Sequence, residues 1–192
     1  MLGGSRRRAT VAVLATAAAV LSMTGAASAS SGVVIDAQDA CDPVTFNAAG
    51  IPCDRVDGSG KRVTIDELLA RVQKDHAHGA WRFKSDDVEI KAGEPVSVRL
   101  ERGGEFHTFT KVARFGPGCI PELNVPIFGA PDPAPECAPV DTPDGPVPAP
   151  FVFDGIPTDG STVQIPAAKL ARGTNLFECM IHPWMTAKVT VE

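Results

Sequence analysis

From residue 81 onward, apolar and polar positions alternate with a period of two. Val88 and Ile90 are separated by Glu89 and followed by Lys91, and Val96, Val98 and Leu100 alternate with Ser97 and Arg99. Successive side chains of a strand point to opposite faces, so such runs predict half-buried β-strands. Ala92-Gly93-Glu94-Pro95 supplies the turn between these two runs, and Arg102-Gly103-Gly104 supplies the next. Further strands are predicted at 106–112, 161–165, 175–179 and 186–191, the last with Ala187, Val189 and Val191 against Lys188 and Thr190. Short strands divided by Gly and Pro turns predict an all-β antiparallel sandwich.

Three stretches depart from that rhythm. Ile65, Leu68, Leu69 and Val72 follow one another at i, i+3, i+4 and i+7, one face of a helix. Thr64 with Glu67 three residues later is a capping box, so a helix is predicted over 65–76, ending near Gly79. Residues 31–62 are rich in Gly, Asp and Ala without clear periodicity and read as an irregular arm. Residues 116–150 hold eleven of the seventeen prolines and read as one long loop inserted in the β domain. The organisation expected is a leader over 1–29, an arm and helix over 30–80, and a β domain over 81–192.

The leader rests on Arg6-Arg7-Arg8, an apolar or small-residue run over 9–23 and a small-x-small Ala27-Ser28-Ala29. That order is the order of a secretory signal peptide, and the run is shorter than the ~20 residues a membrane span needs. Without the leader the chain carries 15 basic and 23 acidic side chains, a formal charge of −8. An acidic chain lacks the clustered Lys and Arg that phosphate binding needs, so no nucleic-acid partner is expected. Export to a secreted or cell-envelope location implies an oxidising compartment, in which thiols pair. Five cysteines leave one over. Cys41 with Cys53, and Cys119 with Cys137, each bracket a short turn-rich stretch and are the pairs expected out of the three connectivities that four cysteines allow, which leaves Cys179.

Cys179 stands in Phe177-Glu178-Cys179-Met180-Ile181-His182-Pro183-Trp184-Met185, where a strand ends and another begins just beyond. A strand–loop–strand hairpin can gather the side chains of Cys-x2-His-x2-Met around one point. Thiolate, imidazole and thioether form a soft donor set, and two His with one Cys in a plane and a weak axial Met is the arrangement of blue-copper sites. Zinc takes four strong donors, and a thioether is a poor one. A second imidazole must come from His76, His78 or His107. His107 is chosen because it lies in a predicted strand, which can hold a ring rigidly. His76 and His78 fall at the predicted helix end, where a histidine suits the helix dipole; a second metal site is the alternative there.

These residues resemble the cupredoxins, and the Cys-x2-His-x2-Met spacing looks most like amicyanin. Pro183, Trp184 and the trailing Lys188-Val189-Thr190-Val191 extend the likeness. The run Val88-Glu89-Ile90-Lys91-Ala92-Gly93-Glu94-Pro95-Val96 is similar to the strand–turn–strand before the first histidine ligand of small bacterial cupredoxins. The resemblance covers residues 81–113 and 151–192. It implies a Greek-key cupredoxin sandwich with one type 1 copper held by His107, Cys179, His182 and Met185. Two departures stand out: Thr108 occupies the position where many cupredoxins have Asn tying the two ligand loops together, and the helix and the 116–150 insertion lie outside the minimal fold.

The function expected is a monomeric, secreted carrier of single electrons rather than an enzyme, with a redox partner protein docking near His182 and Trp184. His182 is expected to be the ligand nearest solvent and the electron route. Pro183 lacks an N–H, so it cannot donate a hydrogen bond to the Cys179 sulfur. A protein that buffers or delivers copper is the alternative, although such carriers usually expose clusters of Met or His, and past the leader the chain has only Met180 and Met185. A copper enzyme would need a second centre, for which four histidines are too few.

Overall fold

The computed structural model describes residues 32–54 and 61–192. The chain runs β1 (Val33–Gln38), α1 (Pro43–Ala48), α2 (Ile65–Asp75), β2 (Arg82–Lys84), β3 (Asp87–Ile90), β4 (Val96–Arg102), β5 (His107–Thr108) and β6 (Thr110–Val112). It continues through α3 (Pro121–Phe128), β7 (Pro139–Thr142), β8 (Gly145–Pro148), α4 (Ala149–Phe153), β9 (Gly155–Ile156), β10 (Val163–Ile165), β11 (Gly173–Glu178) and β12 (Thr186–Val191).

Two four-stranded sheets carry the fold, one in the order β10-β4-β1-β2 and the other β3-β12-β11-β6. Ile35, Val98 and Leu100 of the first and Phe177, Ala187 and Val189 of the second belong to one buried cluster, so the sheets are packed face to face. Phe109 bridges them, stacked on Phe177 at 4.4 Å and edge-on to Phe83 at 5.1 Å. In β4 and β12 the inward residues are those the alternation marked, Val96, Val98 and Leu100 in the one and Ala187, Val189 and Val191 in the other. Each buried Val, Leu or Phe removes apolar surface worth roughly 1.5–3 kcal/mol, which is what holds the layers together.

Several expectations are corrected. The sheets are mixed rather than antiparallel: β1 runs parallel to β4, and β3 parallel to β12. Part of the supposed irregular arm is β1, an interior strand of the first sheet. Its alternation, Ile35-Asp36-Ala37-Gln38, spans only four residues after two adjacent valines, which is too short to mark a strand on its own. The strand predicted over 106–112 is split at Phe109, where the chain leaves a short pairing with β9 for the second sheet. The 116–150 segment is not one structureless loop. It holds α3, entered at Pro121, and the β7–β8 hairpin.

The capping box of α2 is present, with Glu67 N–H on Thr64 Oγ1 and Thr64 N–H on the Glu67 carboxylate. The helix ends at Asp75, within a residue of the predicted 76, where His76 takes a left-handed φ of 60° and closes it. Both expected disulfides form, Cys41–Cys53 and Cys119–Cys137, and Cys179 is free and buried. Among the described residues, no helix is long and apolar enough to cross a membrane. The predicted leader lies outside the described residues.

Candidate metal centre

β5 starts at His107, and its pairing with β9 sets His107 opposite Ile156. β11 ends at Glu178, so Cys179 is the first residue of the loop that leads to β12. That loop is closed by two backbone bonds, Cys179 N–H to Met185 O at 3.0 Å and Met185 N–H to His182 O at 2.8 Å. The curl brings His182 back over Cys179. His107, Cys179 and His182 thereby place one donor atom each within 4.8 Å of one another, the one such cluster of three or more His, Cys, Asp or Glu among the described residues.

Both imidazoles approach the sulfur through Nδ1, each at 3.8 Å from Cys179 Sγ. Bonds of about 2.3 Å to a thiolate and about 2.05 Å to an imidazole, as in first-row metal sites, put the two donors about 3.8 Å apart at a trigonal angle. The same bonds at a tetrahedral angle give about 3.6 Å. The donor set and its spacing therefore fit a single metal ion held by two imidazole nitrogens and one thiolate sulfur. Met185 is fully buried and its main chain is pinned to both Cys179 and His182, which keeps the fourth predicted ligand in the same loop.

All these groups are out of solvent: His107 and His182 are 1% exposed and Cys179 0%. Burial pushes the Cys179 thiol up, but the hydrogen bonds and charges of His107 and His182 outweigh it and hold the thiol well below its usual range. Burial likewise disfavours a charged imidazole, yet Asp39 and Cys179 raise His107 to about 10, and Glu105 and Cys179 raise His182 to about 9. Glu178, next to Cys179, is different: burial pushes its carboxyl up to about 8, and the Cys179 charge adds to the rise.

Thr108 takes the place of the missing Asn. Its hydroxyl accepts the Met180 N–H at 2.8 Å, tying the two ligand segments together. Its own N–H points to Cys179 Sγ at 3.5 Å, so the sulfur keeps one backbone donor although Pro183 offers none. Two further residues escaped the sequence reading. Asp39 Oδ2 lies 3.0 Å from His107 Nε2, and Glu105 Oε1 lies 3.1 Å from His182 Nε2. The adjacency of Glu105 to the Gly103-Gly104 turn was visible, but nothing local marked either acid as a partner of a histidine.

His182 is buried, at 1% exposed, although it is the one proposed ligand that lines the neighbouring cavity. Its outer nitrogen is capped by Glu105, and Trp184, half-buried, bonds through Nε1 to Trp81 O at 3.2 Å. The space next to His182 is a cavity of about 510 Å³ lined by Ile51, Leu68, Leu69, Phe106 and Ile181 among others. The arm and α2, foreign to a minimal sandwich, form one wall of it. His76 and His78 do not join the cluster. His76 Nδ1 meets Pro126 O at 2.6 Å, while His78 Nδ1 accepts the Ala80 N–H and its ring sits edge-on to Trp81.

Two packed sheets, with a histidine on a strand at one end and a Cys-x2-His-x2-Met loop closing over it, make the chain a cupredoxin-like β-sandwich with a candidate copper site. No family model matches the chain, and no curated protein matches it. Among solved structures it is similar to a novel purple cupredoxin from Nitrosopumilus maritimus, at 15% identity and a TM-score of 0.32, over 63% of this chain and 90% of that one. At that score the class rests on the topology and the donor cluster of the chain itself.

Proposed function

We propose that the chain is an extracytoplasmic type 1 copper protein that carries single electrons. The observation behind this reading is the convergence of His107 Nδ1, Cys179 Sγ and His182 Nδ1, with both sulfur–nitrogen distances at 3.8 Å. Copper bound there would supply one-electron chemistry between Cu(I) and Cu(II). His107, Cys179, His182 and Met185 would hold it, with the thioether as the weakest donor. The fold's part is to keep this geometry unchanged between the two oxidation states. β5, the end of β11 and the closed 179–185 loop hold the donors, and the Thr108–Met180 bond ties the loop to the strand. Cys179 is held toward the thiolate by His107 and His182, and metal binding there would displace the protons those imidazoles carry.

Burial speaks against the alternative of buffering or delivery. A protein that hands copper to another must let an incoming ligand reach the metal, and the four proposed ligands are at most 1% exposed. Electrons need only a short covered path. That path would leave His182 through Ile181 and Phe106 on the cavity wall, and a redox partner protein would dock over the rim formed by Leu69, which is 44% exposed. Two disulfides and an acidic surface suit a protein working outside the cytoplasm.

The first test is to add Cu(II) to the purified chain and record the visible spectrum beside Cys179→Ser. An intense thiolate-to-copper band, lost in the variant, is expected. Bound copper without that band overturns the type 1 reading and favours a carrier. The route is tested separately with Leu69→Glu, which should slow electron self-exchange about tenfold or more while leaving the visible spectrum unchanged. An unaltered rate places the docking face elsewhere.

A further inference from the structure

Both imidazoles of the cluster end on a buried carboxylate, and the chain commits much of its local structure to keeping those carboxylates in place. Asp39 is 0% exposed. Its carboxylate accepts N–H groups from Cys41 at 3.1 Å and from Gly104 and Glu105 at 3.2 Å, besides facing His107 Nε2. Gly103 lies against it with φ +108°, and a Cβ there would come within 2.1 Å of the carboxylate, so the cradle admits only glycine. The Cys41–Cys53 disulfide fixes the chain two residues beyond Asp39. Glu105 is 5% exposed; one of its oxygens faces His182 Nε2 and the other accepts Trp81 Nε1–H at 2.7 Å. A buried charge is costly unless paired and hydrogen-bonded, and the ion-pair partners of these two acids among the described residues are the two histidines themselves.

We propose that Asp39 and Glu105 are positioning residues for the bound metal: they lock His107 and His182 with Nδ1 toward Cys179, and their two buried negative charges lower its reduction potential. The inference rests on the copper reading above. A histidine ligand whose other nitrogen donates to a carboxylate has its tautomer and ring orientation fixed and its basicity raised. Charge gives the second effect. The thiolate alone would make a site of +1 with Cu(II) and 0 with Cu(I). Two carboxylates change these to −1 and −2, so the added electron enters a buried site already negative, where Coulomb terms are weakly screened.

The test compares the copper-loaded chain with Glu105→Gln and Asp39→Asn, each of which keeps an acceptor oxygen for its histidine and loses the charge. Glu89→Gln, an exposed acid on β3, is the control for a distant charge. With the thiolate-to-copper band retained, each site variant should raise the potential by a tenfold change in the Cu(II)/Cu(I) affinity ratio or more, about 59 mV for one electron. The control should move far less. Site variants that keep the band and the wild-type potential overturn the inference while leaving the copper reading intact. A wild type without the band overturns both. Should the variants not fold, the wild-type Cu(I) form decides through long-range proton–nitrogen spectra. Slowly exchanging Nε2–H protons on both rings, with the metal on Nδ1, support the inference; metal on Nε2 or a fast-exchanging Nε2–H overturns it.

Discussion

Gly103 shows how much one position can carry. Its positive φ disfavours any L side chain, and the Asp39 carboxylate fills the space a Cβ would need. Gly103→Ala should lower the unfolding free energy by roughly 2–4 kcal/mol, since backbone strain and a displaced buried charge act together. Gly79→Ala is the contrast, with nothing within 4 Å and an ordinary φ; denaturant unfolding of the two variants checks the difference. Thr108 is the other such residue. Thr108→Val keeps the shape but leaves the Met180 N–H buried without its acceptor, at a cost of about 1–3 kcal/mol in the same measurement. From the sequence, Gly103 was a turn residue and Thr108 a substitution for Asn. Their particular tasks belong to neighbours 64 and 72 positions away in the chain, and no local pattern records such neighbours.

Among the elements, α2 and β1 make opposite cases. The α2 helix was legible to within a residue at its start, because an apolar face and a capping box are both local signals. Thr64→Ala should remove the cap and cost about 1 kcal/mol, seen as a lower thermal midpoint with the visible spectrum of the copper form unchanged. Its end lies within a residue of the predicted 76, although His76, rather than a glycine, adopts the left-handed turn. β1 was not legible at all. It lies between β4 and β2, and its alternation runs over only four residues, Ile35-Asp36-Ala37-Gln38, after two adjacent valines, too short a run to stand out in a stretch rich in Gly, Asp and Ala. Its parallel register with β4 aligns Gln38 with Arg102, which delivers Asp39 to the Gly103-Gly104 turn just beyond. The strand that escaped the pattern is the one that brings a carboxylate to His107.

For the molecule as a whole, the N-terminal segment and the sandwich share one core and one site, so damage to the segment should reach the metal. Replacing Cys41 and Cys53 by Ser releases a loop with a sequence separation of 12 and should cost about 3 kcal/mol of stability. Copper affinity should fall with it, because Asp39 sits two residues from Cys41; an equilibrium copper titration beside an unfolding curve separates the two losses. The sequence alone was enough for the strand alternation, the helix and its cap, the cysteine pairs and the loop that carries Cys179 and His182. Those features are written in short-range periods and spacings, and Cys179, His182 and Met185 stand together because one closed loop holds them. The tertiary structure decided the parallel pairings, the burial of His182 and the carboxylate behind each histidine. Asp39 and Glu105 meet His107 and His182 across 68 and 77 residues of chain. Such contacts depend on strand register and on which faces exclude water, and both are settled only when the sheets have packed.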